Sequence, residues 1–344
     1  MQQTWSTKSK ISSFATKLGK LNLDSLAISD YSKRYLAHIQ KHQLYYLAIY
    51  AEVLDQVLLH STKKINDISL VDYGAGNGLL GIFSKHCGAR RVMLCDQDAD
   101  FVDAARLTAS ALSIEIDGYV KGDISSLADK SHEVHFDAVV GTDVIEHIYN
   151  LDDFFAGIQK INREMVTVFT TASNPENYFK LRQLKRLQIK DELQGSDPDD
   201  FALAGAQKHA SFLQIREEII RDDFPGLTAK EYLLLAKQTR GLNKEDIYKA
   251  ATGYLATGEL PVPESNSSNT CHPITGSWTE RVLPLKAYEE LYNKYGYRLE
   301  VESGFYNDYE AGIKKPVNKI RNLLIKLTGK NTAPFITLIG YKSQ

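Results

Sequence analysis

The stretch Val71-Asp72-Tyr73-Gly74-Ala75-Gly76-Asn77-Gly78 decides how this chain reads. Apolar residues leading into three alternating glycines predict a strand, a tight turn and the start of a helix. Glycine adopts dihedrals closed to other residues and lets a ligand touch the backbone, while the first amides of a helix lack intrahelical acceptors. Such a turn suits a ligand that carries a carboxylate or phosphate. The bland alternative is an ordinary glycine-rich turn, and the acids downstream weigh against it. Asp96 ends the next apolar run, VMLCD, where a carboxylate can accept both hydroxyl protons of a ribose. Asp123 follows a third run, placed to receive an amino group of a base, and Gly141-Thr142-Asp143 ends a fourth. All four positions are predicted carboxyl ends of strands, where open α/β sheets bind ligands.

Working outward, short apolar strands alternate with amphipathic helices from Ile68 to Thr171, which implies a parallel sheet covered by helices. Residues 25–60 lack Gly and Pro and repeat apolar groups at helical spacing, so the N-terminal part reads as helical. After Thr171 the alternation stops for about a hundred residues, too long for a loop, and an inserted subdomain is expected. Its predicted helices cover 178–193, 207–221, 228–240 and 243–255; Thr228 with Glu231 has capping-box spacing, and Asn243 is a plausible N-cap. Residues 261–277 read as a long loop, after which strand and helix texture returns, ending in PFITLIGY.

These residues, in this order and spacing, resemble class I S-adenosylmethionine-dependent methyltransferases: Asp72-x-Gly74-x-Gly76-x-Gly78, Asp96, Gly122-Asp123-Ile124 and Asp143-Val144-Ile145-Glu146-His147-Ile148. The resemblance implies a doubly wound, mostly parallel α/β sheet of seven strands, the last antiparallel. It covers roughly 65–172 and the terminal strands 297–304 and 335–341; with the pattern of the rest of the chain, 65–173 and 281–344 are expected to form the Rossmann-like core, 1–64 an N-terminal helical segment and 174–280 an inserted helical lid over the acceptor. It implies S-adenosylmethionine as cofactor, with S-adenosylhomocysteine as product. Asp72, Gly74, Gly76, Asn77 and Gly78 would border the methionine portion, Asp96 with Gln97 the ribose, Asp123 with Ile124 the adenine, and Thr142 and Asp143 the floor near the methyl. The rival is an NAD(P)-dependent oxidoreductase, because Gly76-Asn77-Gly78-Leu79-Leu80-Gly81 also matches the dinucleotide fingerprint. Against it stand Asp72 before the first glycine, Asp123 after the third strand and the lack of an evident second mononucleotide-binding half. A cofactor-binding regulator without chemistry is the third class.

The rest of the composition bounds the partners. Forty-one basic and 43 acidic side chains leave a net charge of −2, which argues against generic nucleic-acid binding. Asn174-Pro175-Glu176-Asn177-Tyr178 superficially matches the motif of amino-methylating nucleic-acid enzymes, but it follows the wrong strand and lacks the second proline. Three widely spaced cysteines fit neither a zinc site nor a disulfide framework, and no signal-like or membrane-spanning run occurs, so a cytoplasmic protein is expected. His38 and His42 have the i, i+4 spacing of paired metal ligands, yet no third ligand is apparent, and they read as a helix face near the pocket. The acceptor is expected to be a small molecule, a lipid-linked compound or a glycan, methylated on oxygen or nitrogen. His209 is the first candidate base and His147 the second, each set against a plainer packing role. Trp278, Glu280, Arg281 and Tyr35 are candidate acceptor contacts, and Trp278-Thr279-Glu280-Arg281 suits lid anchoring equally. The segment 314–330 is a basic amphipathic helix. Its plainest reading is a helix packed on the sheet with lysines in water; the alternative is contact with a membrane surface or an anionic substrate.

Overall fold

The computed structural model describes residues 7–130, 135–195, 210–261, 268–310 and 312–342. The chain divides into two compact units. The first comprises Met1–Ile145, Leu151–Glu176 and Pro284–Gln344; the second comprises Glu146–Asn150 and Asn177–Leu283. Unit 1 opens with α1 (Ile11–Gly19), α2 (Asp30–Lys41) and α3 (Gln43–Ser61). It continues through β1 (Ser69–Tyr73), α4 (Leu79–Cys87), β2 (Arg91–Asp96), α5 (Ala99–Ala111), β3 (Gly118–Lys121), α6 (Ile124–Lys130), β4 (Ala138–Thr142), α7 (Leu151–Ile161) and β5 (Val166–Thr171). Unit 2 holds α8 (Tyr178–Leu193), α9 (Phe212–Asp223), α10 (Ala229–Gln238) and α11 (Lys244–Thr257). Unit 1 then resumes with α12 (Leu285–Lys294), β6 (Arg298–Ser303), α13 (Lys314–Thr328) and β7 (Ile336–Tyr341).

In unit 1 the seven strands run in the order β3-β2-β1-β4-β5-β7-β6. β7 is antiparallel to both its neighbours, and every other pairing is parallel. All five residues of β1 are buried, as a strand with helices on both faces requires, and Val71 stands opposite Met93 on one side and Val139 on the other. The strand order reverses between β1 and β4, and that crevice is where an open sheet of this kind binds its ligand. One face is covered by α3, whose Leu47, Val53, Leu54 and Val57 share a core with Leu70, Val140, Val168 and Phe83. An aromatic cluster lies elsewhere in the same unit: Phe154 packs between Tyr73, Phe155 and Phe169, and Phe155 meets Tyr292 and Tyr297.

Two details of unit 1 depart from the sequence pattern. The helical stretch 25–60 is two helices, because His42 takes a non-helical conformation and bonds back to the carbonyls of His38 and Ile39. α13 buries only Asn318 and Ile325, so its leucines face water instead of the sheet. Asn174, singled out for its neighbouring proline, is fully buried and gives its amide to the carbonyls of Lys330 and Ala333, a structural use.

Unit 2 is a helical subdomain with its own small core of Ile219, Ile220, Tyr232, Leu235, Ala236 and Ile247. α10 begins with the Thr228–Glu231 capping box, and the Asn243 side chain accepts from the Asp246 amide to start α11. α8 turns its polar side inward: Gln188, Asp191 and Glu192 are buried. Glu192 forms a forked pair with the fully buried Arg216, at 3.2 and 2.5 Å, and also accepts from Thr270 Oγ1 at 2.7 Å; Arg216 Nε donates to the Ala236 carbonyl at 2.8 Å. Gln188 donates to Asn269 and to the carbonyls of Thr279 and Glu280, which ties the segment after residue 268 onto α8. Removing one member of a buried pair leaves the other charge stranded. Glu192→Ala is therefore expected to destabilise unit 2 by about 3–5 kcal/mol. Calorimetry should show that loss in the melting of the helical unit; an unchanged trace would mean that the guanidinium is solvated.

Candidate functional site

The site begins at the end of β1. Gly74 has φ +65°, and a side chain there would meet Val144 Cγ2 at 2.2 Å, so the chain can turn only with glycine. Gly76 has φ +53° and a Cβ at it would point toward the Tyr35 ring, 3.8 Å away. α2 thus covers the glycine turn. Asn77 Nδ2 donates to the Ser32 carbonyl at 3.1 Å, and a small enclosed cavity of about 30 Å3 remains between Tyr35, Ile39, Tyr50, Asp72, Thr142 and the turn. Two buried polar atoms near this space, Ser32 Oγ and Asn77 Oδ1, have no hydrogen-bond partner.

Asp72 is buried and accepts from the Gly81 amide at 2.8 Å, across the turn and into the first helical turn of α4. Burial pushes its carboxyl up to about 7; the Gly81 hydrogen bond opposes that shift and the charge of Asp96 adds to it. Asp96, half-buried at the end of β2, accepts from Gly76 N at 2.8 Å and Asp98 N at 3.0 Å. Its carboxyl is also raised, by burial first, against those hydrogen bonds. Asp123, after β3, uses one oxygen as the cap of α6, accepting from Ser125 and Ser126. Burial would raise its pKa, but the hydrogen bonds prevail and hold it below the ordinary value. Thr142 lines the cavity, and Asp143 lies exposed at φ +50° with Oδ1 accepting the Ala172 amide. Gln97 is exposed beside Asp96, whereas Ile124 is buried, in the space that a side chain at Gly157 would enter.

Unit 1 therefore brings together Asp72, Gly74, Gly76, Asn77, Thr142 and Tyr35, with Asp96 bonded to the turn. Sequence reading singled out Tyr35 but missed Tyr45, Tyr46 and Tyr50. Tyr35, Tyr45, Tyr46 and Tyr50 all have ionisation pushed upward, first by burial and then by neighbouring charges and phenols, Asp143 among them; Tyr46 reaches about 12. At neutral pH these phenols are hydrogen-bond donors, not bases. The available signal was the density of aromatics in YLAHIQKHQLYY. A second, open cavity of about 530 Å3 is lined by Tyr45, Tyr306, Asn307, Glu310 and residues of α13. At its edge His42 Nδ1 lies 3.4 Å from Glu310 Oε1 and 3.4 Å from Asn307 Nδ2.

The remaining candidates belong to unit 2 or fall outside the described residues. His147 Nδ1 is 2.7 Å from the Trp278 carbonyl, which makes Nδ1 the donor. Trp278 is 4% exposed, bonds through its indole to the Tyr149 carbonyl and lies under Arg281. These contacts match anchoring and leave little of the ring for an acceptor. Glu280 sits at φ +47° within the same segment. His209 lies outside the described residues. Among the described residues no group of three or more possible metal ligands occurs, and no helix is long and apolar enough to cross a membrane.

The antiparallel β7 inserted between β5 and β6 distinguishes this sheet from the 3-2-1-4-5-6 strand order of the dinucleotide fold. Residues 52–142, spanning most of α3 to β4, match the methyltransferase small domain family. That part of unit 1 is similar to a methyltransferase domain. Solved structures with a similar fold include S-adenosylmethionine-dependent methyltransferases from Archaeoglobus fulgidus and Mesorhizobium loti. The first has 12% identity and a TM-score of 0.42 over 90% of this chain and 99% of its own. The second has 13% identity and a TM-score of 0.37 over 82% and 94%. No curated protein matches the chain. The residues of the glycine turn fit S-adenosylmethionine, the cofactor that the resemblance implies: the Gly76 backbone has room beside it up to Tyr35, and the orphaned Ser32 Oγ and Asn77 Oδ1 and the buried Asp72 carboxyl suit the polar methionine end.

Asp72 gives a test of this environment. Its folded pKa lies above the unfolded value, so the folded state binds the extra proton and stability falls as pH rises from about 4 through about 7. Asp72→Asn keeps an acceptor for Gly81 and removes the buried charge. It should be more stable than the parent at pH 8, by on the order of 1 kcal/mol or more, with the gain vanishing toward pH 4. Thermal melts across that range check it; a gain independent of pH would show Asp72 to be solvated.

Proposed function

We propose that this methyltransferase transfers a methyl group to an oxygen or nitrogen nucleophile of a small-molecule, lipid-linked or glycan acceptor held in the open cavity beside Tyr45. The observation that carries the reading is the position of Tyr45, which lines that cavity; burial first, and then the charge of Asp143 at the end of β4, where the methyl is expected, push its ionisation upward. S-adenosylmethionine, when bound, supplies an electrophilic methyl on a sulfonium. Asp72 and the glycine turn would hold its methionine end, Asp96 with Gln97 the ribose, and Asp123 the adenine. In-line methyl transfer depends on positioning and water exclusion, and buried phenols over the turn serve both.

His42 is the acceptor-side base that we favour. With Nδ1–H turned to Glu310, the Nε2 lone pair is left to take a proton from the nucleophile. Asn307 and Glu310 line the cavity, and they would orient hydroxyl or amine groups of the acceptor.

Three measurements test this reading. S-adenosylhomocysteine should raise the melting temperature, whereas NAD and NADP should not. Asp96→Asn should weaken S-adenosylhomocysteine binding by about ten- to a hundredfold through loss of charge at the ribose acceptor; unchanged affinity would place the ribose elsewhere. With labelled S-adenosylmethionine and fractionated cell extract used to find the acceptor, His42→Gln should lower kcat by about 10²–10⁴ while leaving cofactor affinity intact. Full activity in that variant would remove His42 from the chemistry.

A further inference from the structure

α13 is amphipathic the wrong way round for a helix that serves only the fold. Its inward side is Asn318, Asn322 and Ile325, at i, i+4 and i+7. Asn318 Nδ2 donates to the Asn307 carbonyl at 2.6 Å, and Asn322 exchanges hydrogen bonds with the Tyr306 backbone at 2.7 and 3.0 Å. The helix is therefore docked by amides. Its outward side is apolar: Ile320, Leu323, Leu324 and Leu327 repeat at i, i+3, i+4 and i+7, and Ile320, Leu323 and Leu327 are 68%, 59% and 81% exposed. Val317 and Ile313 extend the stripe.

Charge frames that stripe on both sides. At 3.6 residues per turn, Lys315, Lys319 and Lys326 fall along one margin and Lys314 and Arg321 along the other, with Lys330 in the short turn that follows the helix. No Asp or Glu occurs anywhere from 311 to 331. Glu310 just before the helix pairs with Lys314 at 3.7 Å, and a protein partner of unspecified charge would not require the cations that remain around a leucine face. A surface that is apolar in its interior and negative at its rim does require them, and an anionic bilayer is such a surface.

We propose that α13 is a membrane-docking helix, lying in the interface of an anionic bilayer with Ile320, Leu323, Leu324 and Leu327 among the acyl chains and the flanking lysines at the headgroups. Docking by this helix is independent of the methyl-transfer reading. Ile313, Lys314, Val317 and Arg321 also line the open cavity, so a bilayer at α13 lies at the rim of that cavity. α8 is the natural comparator, since it too exposes Tyr178, Phe179, Ile189 and Leu193, but with Arg182 and Arg186 set among them instead of at margins.

The test uses the full chain and vesicles of phosphatidylcholine alone or mixed with phosphatidylglycerol, separated by sedimentation. Binding is expected to the mixed vesicles and not to the neutral ones, and to weaken as salt rises. Ile320→Ser/Leu323→Ser/Leu327→Ser should lose on the order of a hundredfold or more in affinity, and Lys319→Gln/Lys326→Gln roughly 25-fold, at about fivefold per cation. The melting temperature reports whether each variant folds; should the triple variant unfold, the lysine pair carries the test alone. Equal binding to neutral vesicles, no binding to either, or loss of binding only with Arg182→Gln/Arg186→Gln in α8 would overturn the assignment. So would self-association in sedimentation velocity that the triple variant abolishes, which would make the leucine face a contact with a second copy.

Discussion

The hydrogen bond from the Gly81 amide to the buried Asp72 carboxylate is the constraint on which the rest of the site rests. It closes the glycine turn from below, so the direction of α4 is set by the end of β1. A carboxylate in that position costs stability when ionised, and a well-packed apolar residue would cost less. What the acid supplies is a fixed acceptor beneath a turn whose glycines must remain bare. The second carboxylate, Asp96, repeats the device one strand over by holding Gly76 N, so a single loop is pinned by the ends of two adjacent strands.

The tyrosine layer follows from that arrangement. Bare glycines leave backbone exposed, and α2 covers it with Tyr35 and with the Ser32 carbonyl that receives Asn77. Burying a phenol near carboxylates raises its pKa, which keeps it a donor and prevents it from competing with the acids for charge. Donors above and acceptors below make a slot suited to a ligand with both characters.

The strands and helices were legible where short-range chemistry dictates them. The glycine turn, the acids at the ends of β1, β2, β3 and β4, the start and end of α8, and the caps of α10 and α11 all reflect interactions within a few residues. What escaped reading depends on contacts distant in sequence. The break at His42 lies in a stretch without Gly or Pro, so no local signal marked it. The burial of Trp278 depends on Tyr149, and the outward turn of the α13 leucines on amides that reach Asn307 and Tyr306. Periodicity reveals that a helix has two faces, but not which one the domain keeps. Of the tyrosines around the turn, Tyr35 on α2 was legible, whereas Tyr45, Tyr46 and Tyr50 on α3 carry no local signal that ties them to the site.

The placement of β7 has a consequence for how the chain reaches this structure. β5 ends at Thr171, and its antiparallel partner begins at Ile336, about 165 residues later in the chain. Until those later residues are available, β5 is an open edge of a buried, Val- and Phe-containing strand, the kind of edge that pairs with other chains. β6 is made earlier than β7 but has no place in the sheet without it, because its pairing runs through β7. Completion of the sheet is thus a late, long-range event, with slow folding and exposure to aggregation as its natural companions. A chain cut short before Ile336 would lose two strands at once, and heterologous production would depend on how well the cell shelters that unfinished edge.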